Sequence, residues 1–172
     1  HDIGALDAII RIASRLVSNV GVPHPALLAA RGQLLVALRA RRELTVDPLA
    51  RAAYLLEEAS LLETAEVDPN VRGALEAYRE ALTLWPDSFL AARGLERLAT
   101  HMGDHGAVIT SQLALAKLCD SSVQKAGHLV KAAELTASHL RDERTALELY
   151  EVALETDPEN RDASKTLAAM LA

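Results

Sequence analysis

The chain has 172 residues, half of them apolar, with a formal net charge of −6 and a single cysteine, Cys119. That length supports one domain with a substantial core. The acidic balance argues against non-specific nucleic-acid binding, which needs a basic face to neutralise phosphates, and a lone cysteine allows neither an intrachain disulfide nor a thiolate zinc site.

Aromatic residues supply only 3% of the chain, so the core must be built from Leu, Ala, Ile and Val, as suits thin helices stacked closely. No sustained alternation of apolar and polar residues and no Asn-Gly or Asp-Gly hairpin turn marks a strand. The longest apolar-looking stretch, Ala26 to Leu38, is interrupted by Arg31, Gly32 and Gln33 and is too short to span a bilayer. Arginine outnumbers lysine 14 to 4 and alanine is abundant, a balance that leans toward a GC-rich bacterial source. One cysteine slightly favours a reducing, cytoplasmic compartment without fixing it. The chain starts at His1 and stops inside an apolar pattern at Ala172, so it is expected to be a fragment of a longer protein.

Punctuation residues cut the chain into about nine helices, in order 2–19, 24–43, 48–66, 69–84, 87–102, 105–119, 122–140, 143–156 and 159–171. The first carries an apolar stripe of Ile3, Leu6, Ile10, Ala13 and Val17. His24, between Pro23 and Pro25, starts the second. The run Arg39-Ala40-Arg41-Arg42 falls in its last turn, where cations meet the negative end of the macrodipole. Asp47-Pro48, Asp68-Pro69 and Asp157-Pro158 are read as helix starts: Asp accepts bonds from orphan amides and Pro at the first position loses a donor that would be unpaired anyway. Glu57, Glu58, Glu63 and Glu66 read as the solvated face of the third helix. Trp85-Pro86-Asp87-Ser88 is another boundary, with Tyr78 packed between helices and Trp85 and Phe89 closing the corner. Met102-Gly103-Asp104 stops one helix and starts the next, and Asp120-Ser121-Ser122 and Arg141-Asp142 complete the set. Linkers this short make neighbouring helices antiparallel, and with no long linker the expectation is one continuous domain, 1–172.

A short pattern is written twice. Ala74, Leu75, Tyr78, Ala81, Leu82 and Pro86 recur as Ala146, Leu147, Tyr150, Ala153, Leu154 and Pro158, and a degraded copy runs from Ala107 through Ser111 to Ala114 and Leu115. The starts, Ala74, Ala107 and Ala146, are 33 and 39 residues apart, a period that points to a helical-hairpin solenoid. The segment from Leu55 to Ala172 resembles the tetratricopeptide repeat, a 34-residue helix-turn-helix unit whose copies stack into a right-handed superhelix. The match lies in Ala74, Tyr78, Ala81 and Pro86, in Ala146, Tyr150, Ala153 and Pro158, and in the turn Gly103-Asp104. It departs from the family at Glu58 and Ala92, near where each first helix would carry an aromatic, and at Ser111. The repeats so identified run over roughly 48–172, and residues 1–44 form a divergent pair of amphipathic helices. The resemblance implies an all-α, right-handed α-solenoid of antiparallel helix pairs that holds peptide segments or helices of other proteins in a concave groove.

Chemistry-bearing motifs are few. His1-Asp2 looks like the doublet of the HD-type metal phosphohydrolases, but the further His upstream that such a site needs is missing. His101 and His105 have zinc-like spacing, yet Gly103-Asp104 between them breaks the helix. Cys119 reads as a small core residue rather than a nucleophile. No nucleophile elbow, phosphate loop or dinucleotide turn is present, so neither an enzyme nor a cofactor or metal site is expected.

The repeat register does suggest a binding stripe. It sets Arg93, Arg97 and His101 on the inward face of the fifth helix, His128, Lys131 and His139 on the seventh, and Lys165 on the ninth. The expected function is therefore a protein–protein interaction scaffold whose cationic groove takes an acidic peptide segment. The cations could instead be paired with Glu96 and Glu134. Two other functions stand beside it: a regulatory or sensing domain of a multidomain protein, and a self-assembling module that dimerises through exposed solenoid ends.

Overall fold

The computed structural model describes residues 2–18, 24–64 and 70–170, and every regular element among them is helical. The elements are α1 (Ile3–Val17), α2 (His24–Glu43), α3 (Pro48–Glu63), α4 (Val71–Leu84), α5 (Phe89–Met102), α6 (His105–Leu118), α7 (Ser122–Leu135), α8 (Glu143–Thr156) and α9 (Arg161–Met170), with a π-helical turn, Thr136–Leu140, continuing α7. They group into two compact units, His1–Trp85 and Pro86–Ala172. Within each unit every helix packs against its neighbour in the chain.

Capping explains where the helices begin. Asp2, Asp47, Asn70, Ser88, Asp104, Ser121 and Asp142 each accept a backbone N–H of the first turn through a side-chain oxygen, which satisfies a donor that no carbonyl of the helix can reach. The expected cap at Asp68-Pro69 lies outside the described residues. The one expected at Asp157-Pro158 is displaced: Asp157 terminates α8, its Oδ1 accepts the Glu159 N–H at 3.3 Å, and Asn160 caps α9 through the Ala163 N–H at 3.0 Å. Pro158 thus occupies a turn rather than a first helical position, two residues before the true cap, Asn160, while Pro86 lies in the expected boundary, two residues before the Ser88 cap. Gly103 ends α5 at φ +71°, and the Asp104 N–H reaches back to the Ala99 carbonyl at 2.9 Å. This six-to-one closure needs the left-handed conformation that glycine adopts without strain.

The helices α4 to α8 are each 14 residues long, and the five residues of the π-helical turn account for most of the longer spacing between the second and third copies of the repeat. That turn closes on Arg141 at φ 55°, a left-handed conformation unusual for a residue with a Cβ.

The repeated positions are the buried ones. Ala74, Ala81, Ala146 and Ala153 are fully buried and Tyr78 and Tyr150 nearly so; in the middle copy Ala107 and Ser111 are buried and Ser111 Oγ donates to the Val108 carbonyl at 2.7 Å. Small side chains at these positions let helix backbones approach closely. In the second unit Tyr150, Ala153 and Ala163 pack with Ala116, Ala126, Leu129, Val130 and Ala133. In the first, Ala13, Leu34 and Leu38 form a smaller cluster with Ile10, Val17, Tyr54 and Leu61 against it.

Three expectations for the first unit need correction. Ile3 does not share the buried stripe of α1 but is 46% exposed. Glu58 is not on a solvated face: it is 5% exposed and accepts from Arg39 Nε at 2.6 Å and Arg42 Nη1 at 3.1 Å, while Glu63 accepts from the Tyr78 hydroxyl at 3.3 Å. Glu57 is exposed, and Glu66 lies outside the described residues. The arginine run does more than meet the helix dipole, because Arg39 and Arg42 pair with Glu58 of α3 and Arg41 pairs with Asp7 of α1 at 2.8 Å. The Asp7 hydrogen bond raises the Arg41 pKa further, partly offset by burial and assisted by the charges of Tyr54 and Asp7.

Candidate functional site

A groove of about 510 Å³ opens between α5, α6 and α7 of the second unit. Its lining combines apolar Phe89, Leu115, Leu118 and Cys119 with polar Arg93, Glu96, Gln112, Gln124, His128 and Lys131. Phe89, the first residue of α5, is 59% exposed and lines this groove instead of closing a corner. Trp85, the α4 C-cap, is 38% exposed. Cys119, expected in the core, is half-buried at the groove's edge.

Five of the polar lining residues form a chain of defined hydrogen bonds. Gln112 Nε2 donates to Glu96 Oε1 at 2.7 Å, and His128 Nδ1 lies 2.7 Å from Gln112 Oε1. A carboxylate only accepts, so it fixes the amide with its nitrogen toward Glu96; the amide oxygen then requires a proton on His128 Nδ1. His128 is consequently the tautomer whose Nε2 carries a lone pair. Lys131 Nζ reaches Glu96 Oε1 at 3.1 Å, and Arg93 Nη1 donates to Glu96 Oε2. Glu96 and Lys131 are 35 residues apart, so this contact joins helices one repeat apart.

Both titratable members are shifted down. For Glu96, burial acts upward, but hydrogen bonds from Gln112 and Lys131 and the charges of Lys131 and Arg93 outweigh it and hold the carboxyl below its ordinary 4.5. For His128, burial is the main cause and Lys131 and Arg93 add to it, against the opposing pull of Glu96, so the imidazole lies below 6.5 and is neutral at pH 7. His128 therefore keeps an acceptor at Nε2, in a groove also lined by two cations that share one carboxylate. The amide between Glu96 and His128 orients the ring but relays no proton.

Of the residues expected to form the cationic stripe, the structure brings together Arg93, His128 and Lys131. Arg97 and His101 are exposed further along α5. His139, in the π-helical turn, stacks on His105 with ring centroids 3.5 Å apart, and Lys165 is exposed on α9. Glu96, which organises the cations, appeared in the sequence only as a competing partner for them, and buried Gln112 was missed. A polar residue at a position where its neighbours Ser111 and Leu115 are core was the one available clue. His101 and His105 sit in different helices across the Gly103 break, and among the described residues no three His, Cys, Asp or Glu side chains converge as metal ligands. No helix of the described residues is long and apolar enough to cross a membrane. No protein-family model matches the chain, and no curated protein matches it either.

Proposed function

We propose that the chain is a non-catalytic interaction scaffold of the tetratricopeptide kind, its helix pairs stacked as in a right-handed α-solenoid, which holds a segment of a partner protein in the α5–α7 groove. The observation that carries this reading is the groove itself, whose lining combines apolar side chains suited to an anchor with a hydrogen-bonded group of cations around Glu96. Burial of both full alanine–tyrosine–alanine copies and the Glu96–Lys131 contact across one repeat support the repeat architecture.

The preferred segment combines an apolar residue with a nearby acidic one. Arg93 and Lys131 against Glu96 leave one positive charge in excess beside a neutral imidazole, so attraction for a carboxylate is real but modest and salt-sensitive. A random-peptide library displayed on phage and selected against the chain tests this. Enriched peptides, measured as synthetic fluorescent probes, are expected to carry that pair of residues and to bind more weakly as salt rises. Combining Phe89→Ala with Lys131→Gln should weaken binding by roughly tenfold or more without lowering the melting temperature, because both side chains are half-exposed or more. Leu90→Ala, exposed and outside the groove, should change nothing. Peptides that bind the groove variants as tightly as the parent would place recognition on another face.

A further inference from the structure

His128 is held by one ring nitrogen and titrates at the other. Nδ1 donates to Gln112 Oε1 at 2.7 Å, and the Gln112 amide is itself fixed by Glu96 Oε1 at 2.7 Å. Among the described residues Nε2 has no hydrogen-bond partner, so the ring can take up a second proton without giving up the bond it already makes. Had Nδ1 been the acceptor, protonation would have broken the contact with Gln112 and, through it, the link to Glu96.

The surroundings decide what that proton changes. Among the described residues the charges acting on the ring are Glu96 and Arg93 of α5 and Lys131 of α7 itself. Helix α6 contributes Gln112 and Cys119 to the shared lining, and no charge on α8 or on the π-helical turn, which also pack against α7, acts on the ring. Burial and the two cations disfavour the imidazolium in the chain alone; a ligand carboxylate beside the same cations supplies the missing counter-charge. Glu96 does not follow the histidine. Despite its burial, the hydrogen bonds of Gln112 and Lys131 hold its carboxyl below 4.5, and a peptide's own carboxylates ionise at about 4. In mildly acidic solution the lining therefore gains charge while both sides keep their carboxylates.

We propose that His128 makes ligand binding in this groove pH-dependent: a proton taken up at Nε2 raises the excess charge of the lining from one positive to two and tightens the hold on a carboxylate-bearing segment. This rests on the reading of the groove as the partner-binding surface. Binding and protonation reinforce each other, because a bound carboxylate raises the proton affinity of His128 by the factor by which the proton raises the affinity for the carboxylate.

A long-range proton–nitrogen NMR titration of the chain alone, from pH 7.5 to pH 5, should show a proton arriving at His128 Nε2. Over the same range Nδ1 should stay protonated and the Gln112 side-chain amide should keep its shifts. Calorimetry then uses as probe an acetylated, amidated peptide with one leucine flanked by aspartates. Affinity should rise by roughly three- to fivefold from pH 7.5 to pH 5.5, with proton uptake on binding read from the dependence of the heat on the buffer's ionisation enthalpy. His128→Gln, shown by circular dichroism to be folded, should bind equally at the two pH values. A ring that stays neutral at pH 5, a Gln112 amide that moves with the titration, or a parent affinity that does not change overturns the inference and leaves the scaffold reading standing. A pH dependence that survives in His128→Gln belongs to another group and overturns it equally. A probe that binds at neither pH overturns the groove as the binding surface, and this inference with it.

Discussion

His128 shows how one side chain's state is set by its neighbours. Glu96 fixes the Gln112 amide, the amide fixes the tautomer, and burial with two nearby cations keeps the ring neutral. Both His128 and Glu96 lie below their ordinary values, and the sign for stability is the same. As pH falls below 6.5 the unfolded chain takes up a proton that folded His128 resists, and below 4.5 the same holds for Glu96. Stability is therefore fully present above 6.5 and is lost on acidification through each window. Denaturant unfolding at pH 7.5 and pH 5.5 should show this loss, and His128→Gln should reduce it; an identical loss in the variant would sink the assignment. A long-range proton–nitrogen spectrum should find His128 protonated at Nδ1 alone. Glu58 makes a second prediction at this scale. Glu58→Ala removes the carboxylate shared by Arg39 and Arg42 and leaves Arg42, 19% exposed, with Glu43 at 3.4 Å and Glu80 at 3.9 Å. It should destabilise by about 1–3 kcal/mol, less than a fully buried pair because Arg39 is half exposed.

At the scale of elements, the small-residue stripes on α4 and α8 decide how closely those helices approach their neighbours. Ala81 and Ala153 are fully buried, so Ala81→Leu or Ala153→Leu should each cost roughly 1–3 kcal/mol by overpacking. Thermal melting checks both, and unchanged melting would mean that the packing at these positions is loose. Caps contribute separately: Asp104→Ala removes the acceptor for the Ala107 N–H at 3.0 Å and should cost about 1 kcal/mol. Helix positions were legible because caps, glycine and proline act within a few residues. The Asp157-Pro158 turn was misread for the same local reason. Asp157-Pro158 satisfies the preference for a helix start, but Asp157 is taken up terminating α8, and Asn160 caps the next helix instead.

For the whole molecule, half the residues are apolar and very few are aromatic, and far-UV circular dichroism of the purified chain should show helix with negligible strand. A substantial strand signal would contradict the fold. The sequence by itself determined that the chain is helical, where its helices lie, and which alanines and tyrosines pack, because periodicity and capping are written in residues a few positions apart. Only the tertiary structure decided that Glu58 is buried between arginines, that Arg93 and Lys131 share Glu96, and that the apolar residues of α1 divide into a packed face and an exposed one. Partners such as Glu96 and Lys131 are separated by a whole repeat, and local pattern gives no rule for which charges meet once helices pack. Exposure of Ile9, Ile12 and Leu16 likewise depends on which side of α1 faces α2, and beside the stripe that packs the sequence carries a second apolar one.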